Sequence, residues 1–403
     1  MLELFSEAAR RDPYPLYARL RAAGPVLHDE AGDRWMLLDY DGVRRALNDP
    51  ASFSSVVSPP PSAPSRWLIF SDPPRHTQLR ALVTRAFTPR AVAGLEGRVR
   101  ELARGLIDAR AESGEMELLA DFSVPLPLMV IAELLGAPVD EWPRFRRWSD
   151  AIVGLVLTLS GGTEAERAVA AFQAAHTEMA EHLAALVDAR RAAPRDDLLT
   201  RLVRAEVEGE RLTDDEILGF FQLLLLAGHE TTTNLIGNAV LALIENPDQR
   251  ALLRSIPDLV PSAVEEVLRY RSPVQAAFRV TRREVEVAGR TIPPGKLVLA
   301  MIGAANRDPA HFAEPDRFDV ARHPNAHVAF GHGIHFCIGA PLARLEGRVA
   351  LAELLERLPR LALADGAPWT PRAAFHVHGP ERLALRFERR VTGDRLQGTA
   401  SGN

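Results

Sequence analysis

Apolar residues recur at three- and four-residue intervals along most of this chain, and strict alternation is confined to a few short runs. The first pattern marks helices with one buried face, the second half-buried strands. Helical spacing runs through "DYDGVRRALNDP" and ends at Asn48 to Pro50. It restarts at Pro73 in "PPRHTQLRALVTRAF", stops at Pro89, and continues through 90–113, 126–135 and 142–159. After Gly161-Gly162 a long amphipathic stretch covers about Thr163 to Arg191. The strongest element is Thr213 to Asn246. Its "TDDE" is a capping box with Thr213 as N-cap and Glu216 three residues on, and Asn246-Pro247 closes it. Such a helix would measure roughly 50 Å, and its centre is too apolar for a surface position. Runs at "RWMLL" (34–38), "EVEVAGRTIPPGKLVLAMI" (284–302) and "LALRF" (383–387) predict a minor β region. The Pro- and Ser-rich segment 51–72 reads as loop. No repeat or linker interrupts the pattern, so residues 1–390 are expected to form one large, mainly α domain, with the polar tail 391–403 disordered.

Composition changes this picture little. Of 403 residues, 47% are hydrophobic and 25% charged, ordinary proportions for a globular protein. A net charge of −5 makes no general case for nucleic-acid binding. Lys296 is the single lysine, and this arginine-rich usage suits a G+C-rich bacterial genome. The N-terminus lacks a basic segment followed by an apolar one, so no signal peptide is expected. The longest apolar run, Ile217 to Gly228, is interrupted by Gln222 and falls short of the ~20 residues that span a bilayer. A cytoplasmic, membrane-free protein is expected.

The one cysteine, Cys337, lies in "FGHGIHFCIG", Phe330 to Gly339. It cannot form a disulfide within the chain. A buried structural thiol would behave as a small hydrophobe but needs no Gly331, Gly333 and Gly339 around it. Zinc is suggested by His323, His327, His332, His335 and Cys337, yet their spacing matches no standard ligand pair. A phosphate loop fails because Phe336 stands where the third glycine belongs. An axial thiolate for a haem iron accounts for every residue. Glycines let the backbone pass close beneath a flat ring, and N–H groups after the sulfur can stabilise it. The helix that starts near Leu342 also presents a dipole end that favours an anion.

The same loop resembles the haem-binding loop of the cytochrome P450 superfamily, of the soluble bacterial (actinobacterial or myxobacterial-like) kind. Glu266-Val-Leu-Arg269 resembles that family's Glu-x-x-Arg pair, and Pro315-Asp-Arg-Phe318 its meander motif, with Arg317 as third partner. Asp316 departs from the glutamate of many relatives. "AGHETT", Ala227 to Thr232, resembles the oxygen-activation motif, and "DPPRHTQLR" the helix that meets the haem propionates. The resemblance covers roughly residues 10–390. It implies the cytochrome P450 fold and haem b (iron protoporphyrin IX), with Cys337 as metal ligand. It places Phe330, Gly331 and Gly339 in the cofactor loop, Ala227 and Gly228 beside the iron, and His76, Arg80, Arg279 and His335 on the propionates. Phe330 and Phe336 would help to exclude water. Glu266, Arg269 and Arg317 are expected to be structural rather than catalytic.

Glu230 and Thr231 interrupt the most apolar helix and carry the expected chemistry. Thr231 would bond a carbonyl one turn back and open a local bulge, while Glu230 would relay protons. Position alone assigns a pocket of Trp67, Ile69, Phe70, Leu223, Leu224, Val274, Ala276, Phe375 and Val377, with the helices of 145–185. It suits a hydrophobic substrate: a fatty acid, terpenoid, steroid or polyketide. The implied activity is a haem-thiolate monooxygenase that uses dioxygen to hydroxylate or epoxidise such a molecule. The chain has no flavin or iron–sulfur motif, so a ferredoxin and its reductase would bring electrons, docking near Arg344 and Arg348; a monomer is expected. Two alternatives stand: a peroxide-driven peroxygenase, whose specialised members typically lack the Glu-Thr pair, and a non-catalytic haem-binding sensor or recruitment module, which would need no proton relay.

Overall fold

The central helix organises the structure. Its capping box forms as the sequence predicts: the Thr213 hydroxyl accepts from the Glu216 N–H, and the Glu216 carboxylate accepts from the Thr213 N–H at 2.9 Å. The helix then runs as Asp214–Leu224, a five-residue π-turn Leu225–His229, and Glu230–Glu245. Asn246 ends it by turning its side-chain amide onto the Ala242 carbonyl, 2.8 Å away. Every residue from Thr232 to Leu243 is buried, as the apolar centre requires. Of its polar members, Thr233 donates to the Ser123 carbonyl and Asn238 to those of Arg271 and His378, while Asn234 Nδ2 and Asn238 Oδ1 are buried without a partner.

This computed structural model describes residues 2–57, 67–157, 163–358, 360–364 and 369–388. The tail at 391–403 and the predicted helix end beyond Leu157 lie outside the described residues. The remaining helices follow the apolar spacing closely: Arg75–Ala86, Glu96–Ala111, Pro125–Leu135, Trp142–Leu157, Thr163–Ala192, Val260–Tyr270 and Ala340–Arg357. The first starts two residues later than Pro73, and the stretch at 90–113 divides into Pro89–Ala93 and Glu96–Ala111. Helix 340–357 packs against 96–111, 230–245 and 260–270. Gly347 permits one of these approaches, since a Cβ there would sit 3.1 Å from Leu235.

The β region is broader than the alternating runs suggest. A five-stranded sheet takes the order Val26–Asp29, Arg34–Leu37, Leu297–Ala300, Ala277–Thr281, Phe53–Ser54. Only the pairing of Leu297–Ala300 with Arg34–Leu37 is parallel. In the "EVEVAGRT" run, Val285–Val287 and Arg290–Ile292 form a hairpin. Its two-residue turn, Ala288-Gly289, holds φ at +47° and +74°, the geometry that matches strand twist. Glu115–Glu117 adds a strand against Ala384–Arg386 that no alternation announced. No helix among the described residues is long and apolar enough to cross a membrane.

Late in the chain a short pairing, Thr370–Pro371 with Pro380–Arg382, lies against the central helix. Gly237 makes room for it: a Cβ at that position would come 2.7 Å from Pro380. Gly379 does the same from the other side, where a Cβ would come 2.6 Å from Asn234. The fit is close enough that one methyl on either glycine would force the elements apart.

Candidate active site

The cysteine loop is shaped by two glycines. Gly331 and Gly333 have φ of +74° and +69°, a region that side chains with a Cβ rarely adopt. At Gly333 space is also short, because a Cβ would lie 2.8 Å from Asn48 Oδ1 and 3.0 Å from the Leu47 carbonyl. The Cys337 N–H closes the loop on the Phe330 carbonyl at 2.9 Å. Burial pushes the Cys337 thiol up. The backbone N–H of Gly339, the charge of Arg80, the N–H of Ala340 and the charge of Arg344 all favour the thiolate. Phe330 is half-buried beneath the Arg344 guanidinium, 4.5 Å from its ring centre. Phe336 is 41% exposed, so it does not shield the sulfur as expected; its backbone carries the turn while the ring faces outward.

His76, Arg80, Arg279 and His335 come together from three elements. His76 and Arg80 share one helix, Arg279 sits on strand Ala277–Thr281, and His335 ends the turn Gly333–His335. The His76 and His335 rings are 4.1 Å apart. Neither ring nitrogen of the buried His76 has a hydrogen-bond partner, nor does Nε2 of His335. Burial holds His335 down to about 3 and Arg279 down to about 10. Burial also lowers Arg80, opposed by the Cys337 charge. The nearest carboxylate, Asp72, is occupied by Ser54, the Ser55 N–H and Arg282. Buried imidazole nitrogens left without partners are costly, and the Arg279 guanidinium is spent on a carbonyl, that of Phe278 at 2.8 Å. A dianionic group would satisfy them, and the carboxylates of haem b fit that set.

On the central helix, Thr231 Oγ1 donates to the Ala227 carbonyl at 2.5 Å across the π-turn, and Ala227 is exposed. Gly228 is placed differently from the expectation. A methyl there would meet Ile131 at 3.4 Å and Leu224 at 3.5 Å, so its bare face packs on helix 125–135. His229 is buried, with Nδ1 2.9 Å from the Ser149 hydroxyl, and burial holds it down to about 3. Glu230 is buried, and that burial raises its carboxyl; Arg372 opposes the rise and Asp150 adds to it. The Arg372 guanidinium lies 3.6 Å from the Glu230 carboxylate.

Glu266 and Arg269 are fully buried and joined by two hydrogen bonds of 2.7 and 2.8 Å. The third arginine is not Arg317. Its side chain is 56% exposed on Glu314, and only its carbonyl turns inward, onto Arg269. Arg322 takes the place, donating to Glu266 at 3.1 Å, with Asn325 and the Asp319 N–H completing the shell. Tight turns at 314–317 and 319–322 set which arginine faces in. Nearby, Arg344 is fastened to Glu265 by bonds of 2.7 and 2.8 Å, and His327 lies 3.1 Å from the same carboxylate. That leaves Arg344 less free for a partner than expected.

The pocket list needs sorting. Ile69 is exposed, while Phe70, Leu223 and Leu224 are half-buried; the turn Leu68–Phe70 packs against Asp214–Leu224. Val274 and Val377 are half-buried and paired as an isolated bridge. Two of the expected pocket residues, Trp67 and Ala276, do not line open space. Trp67 is fully buried, donating from its indole to Gln222 at 3.2 Å. Gln222 in turn meets His176 Nδ1 at 2.8 Å, which explains a polar residue inside the apolar run. Ala276 is buried in the cluster of the N-terminal helices, and Phe375 stacks edge-on with Phe5 and Phe278.

A family model described as Cytochrome P450 matches residues 155–374. The cytochrome P450 monooxygenase PikC of Streptomyces venezuelae is 44% identical over 395 residues, covering 94% of this chain and 92% of that protein. The vitamin D(3) 25-hydroxylase of Pseudonocardia autotrophica is 43% identical, covering 90% and 91%. Among solved structures, CYP109E1 from Bacillus megaterium in complex with testosterone superimposes with a TM-score of 0.86 at 38% identity, covering 94% of this chain and all of that one.

Proposed function

The chain belongs to the cytochrome P450 family of haem-thiolate monooxygenases, whose cofactor is haem b, and on that premise we propose which of its residues hold the cofactor and work beside it. Cys337 Sγ would hold the haem iron, its thiolate favoured by the Gly339 and Ala340 N–H groups once a metal outweighs the cost of burial. His76, Arg80, Arg279 and His335 would hold the propionates. The unpartnered nitrogens of His76 and His335 beside the one cysteine are the observation that carries this assignment. When bound, the haem supplies the activation of dioxygen, of which one atom enters the substrate and the other leaves as water.

The protein's own part is to exclude water and to meter protons. Thr231 holds a proton at Oγ1 and can turn it from the Ala227 carbonyl toward the open side of the helix. Glu230 is kept protonatable by burial and delivers a proton to that side. Glu266, Arg269 and Arg322 fix the segment that leads into the cysteine loop. The substrate is a hydrophobic small molecule. Relatives named for vitamin D(3) hydroxylation and crystallised with testosterone make a steroid-like skeleton the first class to test. With one cysteine the chain cannot ligate a four-cysteine iron–sulfur cluster, so electrons come from a separate carrier, a ferredoxin with its reductase.

The test is spectroscopic and then catalytic. Cys337→Ser should abolish the thiolate-type band of the reduced carbon-monoxide complex; retention of that band overturns the ligand assignment. Product from testosterone with NADPH and a surrogate ferredoxin system should exceed product with peroxide alone. The reverse result would favour the peroxygenase reading, and spin-state shifts without product in either arm across a hydrophobic library would favour a binding module.

A further inference from the structure

Glu230 is not alone in the helix wall. The 370–382 hairpin docks on the central helix through Gly237 and Gly379, and this docking delivers Arg372 to the carboxylate. Arg372 is held at three points, one on its guanidinium and two on its backbone. Its Nε donates to Asn234 Oδ1 at 3.2 Å, its backbone N–H donates to the Gly379 carbonyl at 3.1 Å, and its backbone carbonyl accepts from Arg10 at 3.2 Å. Nη1 then lies 3.6 Å from Glu230, with side-chain exposures of 22% and 10%. From helix 142–157 come Asp150 and Arg146, an exposed pair 3.8 Å apart. The remaining titratable neighbour, His229, spends its Nδ1 on Ser149. The charged groups around Glu230 thus descend from solvent at Asp150 and Arg146, through the partly buried Arg372, to a buried carboxyl.

We propose that Arg372 is a positioning residue for proton delivery: it fixes the Glu230 carboxyl in place and offsets its burial, so that the group can both release a proton and take one up. The inference rests on the reading of Glu230 as proton donor. A buried carboxyl with no cation stays protonated and cannot turn over; one gripped by a close, fully aligned ion pair stays ionised. A single guanidinium nitrogen at 3.6 Å is neither extreme. Asp150 acts in the opposite sense, and more weakly because water screens it.

The opposite signs make the test specific. In pH-dependent infrared difference spectra of the holoenzyme, the protonated-carboxyl band lost in Glu230→Gln reports this group. Its half-point should move up in Arg372→Gln, return toward the parent in Arg372→Lys, and move down by a smaller step in Asp150→Asn. In parallel, oxygen consumption with NADPH and a surrogate ferredoxin system should fall several-fold in Arg372→Gln, with a larger solvent deuterium effect. Arg372→Gln should add nothing further in a Glu230→Gln background. An unmoved half-point in Arg372→Gln, or shifts of the same sign in Arg372→Gln and Asp150→Asn, overturns the proposal. Should Arg372→Gln fail to fold, the similarly long, uncharged Arg372→Met carries the same test, since a purely structural arginine predicts no movement of the half-point there. If Glu230→Gln leaves oxygen consumption and its isotope effect unchanged, the catalytic reading of Glu230 falls instead, and the infrared shifts judge the ion pair separately.

Discussion

Thr231 and Ala227 are joined by a hydrogen bond from hydroxyl to carbonyl, 2.5 Å long, across the one π-turn of the central helix. A side chain that bonds its own helix one turn back competes with the backbone ladder and bends it, and π-turns recur at functional sites. The hydroxyl therefore both maintains the bulge and stands ready at its mouth.

Thr231→Ala should retain haem and substrate binding and still consume NADPH, but less product should form per NADPH, with hydrogen peroxide rising to match. Thr231→Ser, which keeps the hydroxyl, should recover most of the coupling. Product, peroxide and NADPH measured in one reaction decide the matter; unchanged coupling in the alanine variant would remove Thr231 from proton delivery.

The two arginines of the 314–325 segment should behave very differently. Arg322→Ala leaves Glu266 with less compensation in a buried cluster and should cost about 3–5 kcal/mol, with poor haem loading. Arg317→Ala, at an exposed pair, should stay within about 0.5 kcal/mol. Urea unfolding of both variants is the comparison, and equal losses would return Arg317 to the cluster.

His76 should show opposite effects in the presence and absence of cofactor. Its two unpartnered ring nitrogens burden the haem-free fold, so His76→Leu should raise the stability of the apoprotein by about 1 kcal/mol. The same change should speed haem transfer to a scavenger such as apomyoglobin. Destabilisation of both forms would mean that His76 is a packing residue.

Glu265 supplies a pH dependence. Burial alone would raise it, but hydrogen bonds from Arg344 and His327 outweigh that and hold it near 2. A carboxyl depressed in the folded state adds stability above its unfolded value, ~4.3, and loses it as pH falls toward the folded one. Unfolding free energy of the parent should therefore drop between about pH 4 and 2 more steeply than that of Glu265→Gln. Parallel acid limbs would show that the Glu265–Arg344 pair contributes nothing in that window.

What the sequence disclosed was what neighbours in the chain determine. The capping box at Thr213, the glycines around Cys337 and the spacing of His76 to Arg80 are local patterns, and each has its physical cause within a few residues. Arg317 and Arg322 were indistinguishable because they sit in consecutive turns, where no periodicity tells inside from outside. Arg372 reaches a helix 138 positions away at Asn234, and Trp67 finds Gln222 at a separation of 155. Nothing in the local run of residues specifies such pairings, so Trp67 read as pocket lining and Arg372 did not stand out. Short strands such as Phe53–Ser54 escaped for the same reason: two residues cannot show an alternation.

Gln222 spends both ends of one amide, its oxygen on Trp67 and its nitrogen on His176. Three separate segments therefore share one residue, and none of the three side chains can drift alone without stranding a buried polar atom. Over evolutionary time these positions should change as a triplet, with lineages that replace Gln222 by an apolar residue also losing the indole and the imidazole. For anyone reshaping the pocket by random mutagenesis, single substitutions here should register as lost expression, and the productive variants should arrive as linked pairs or triples.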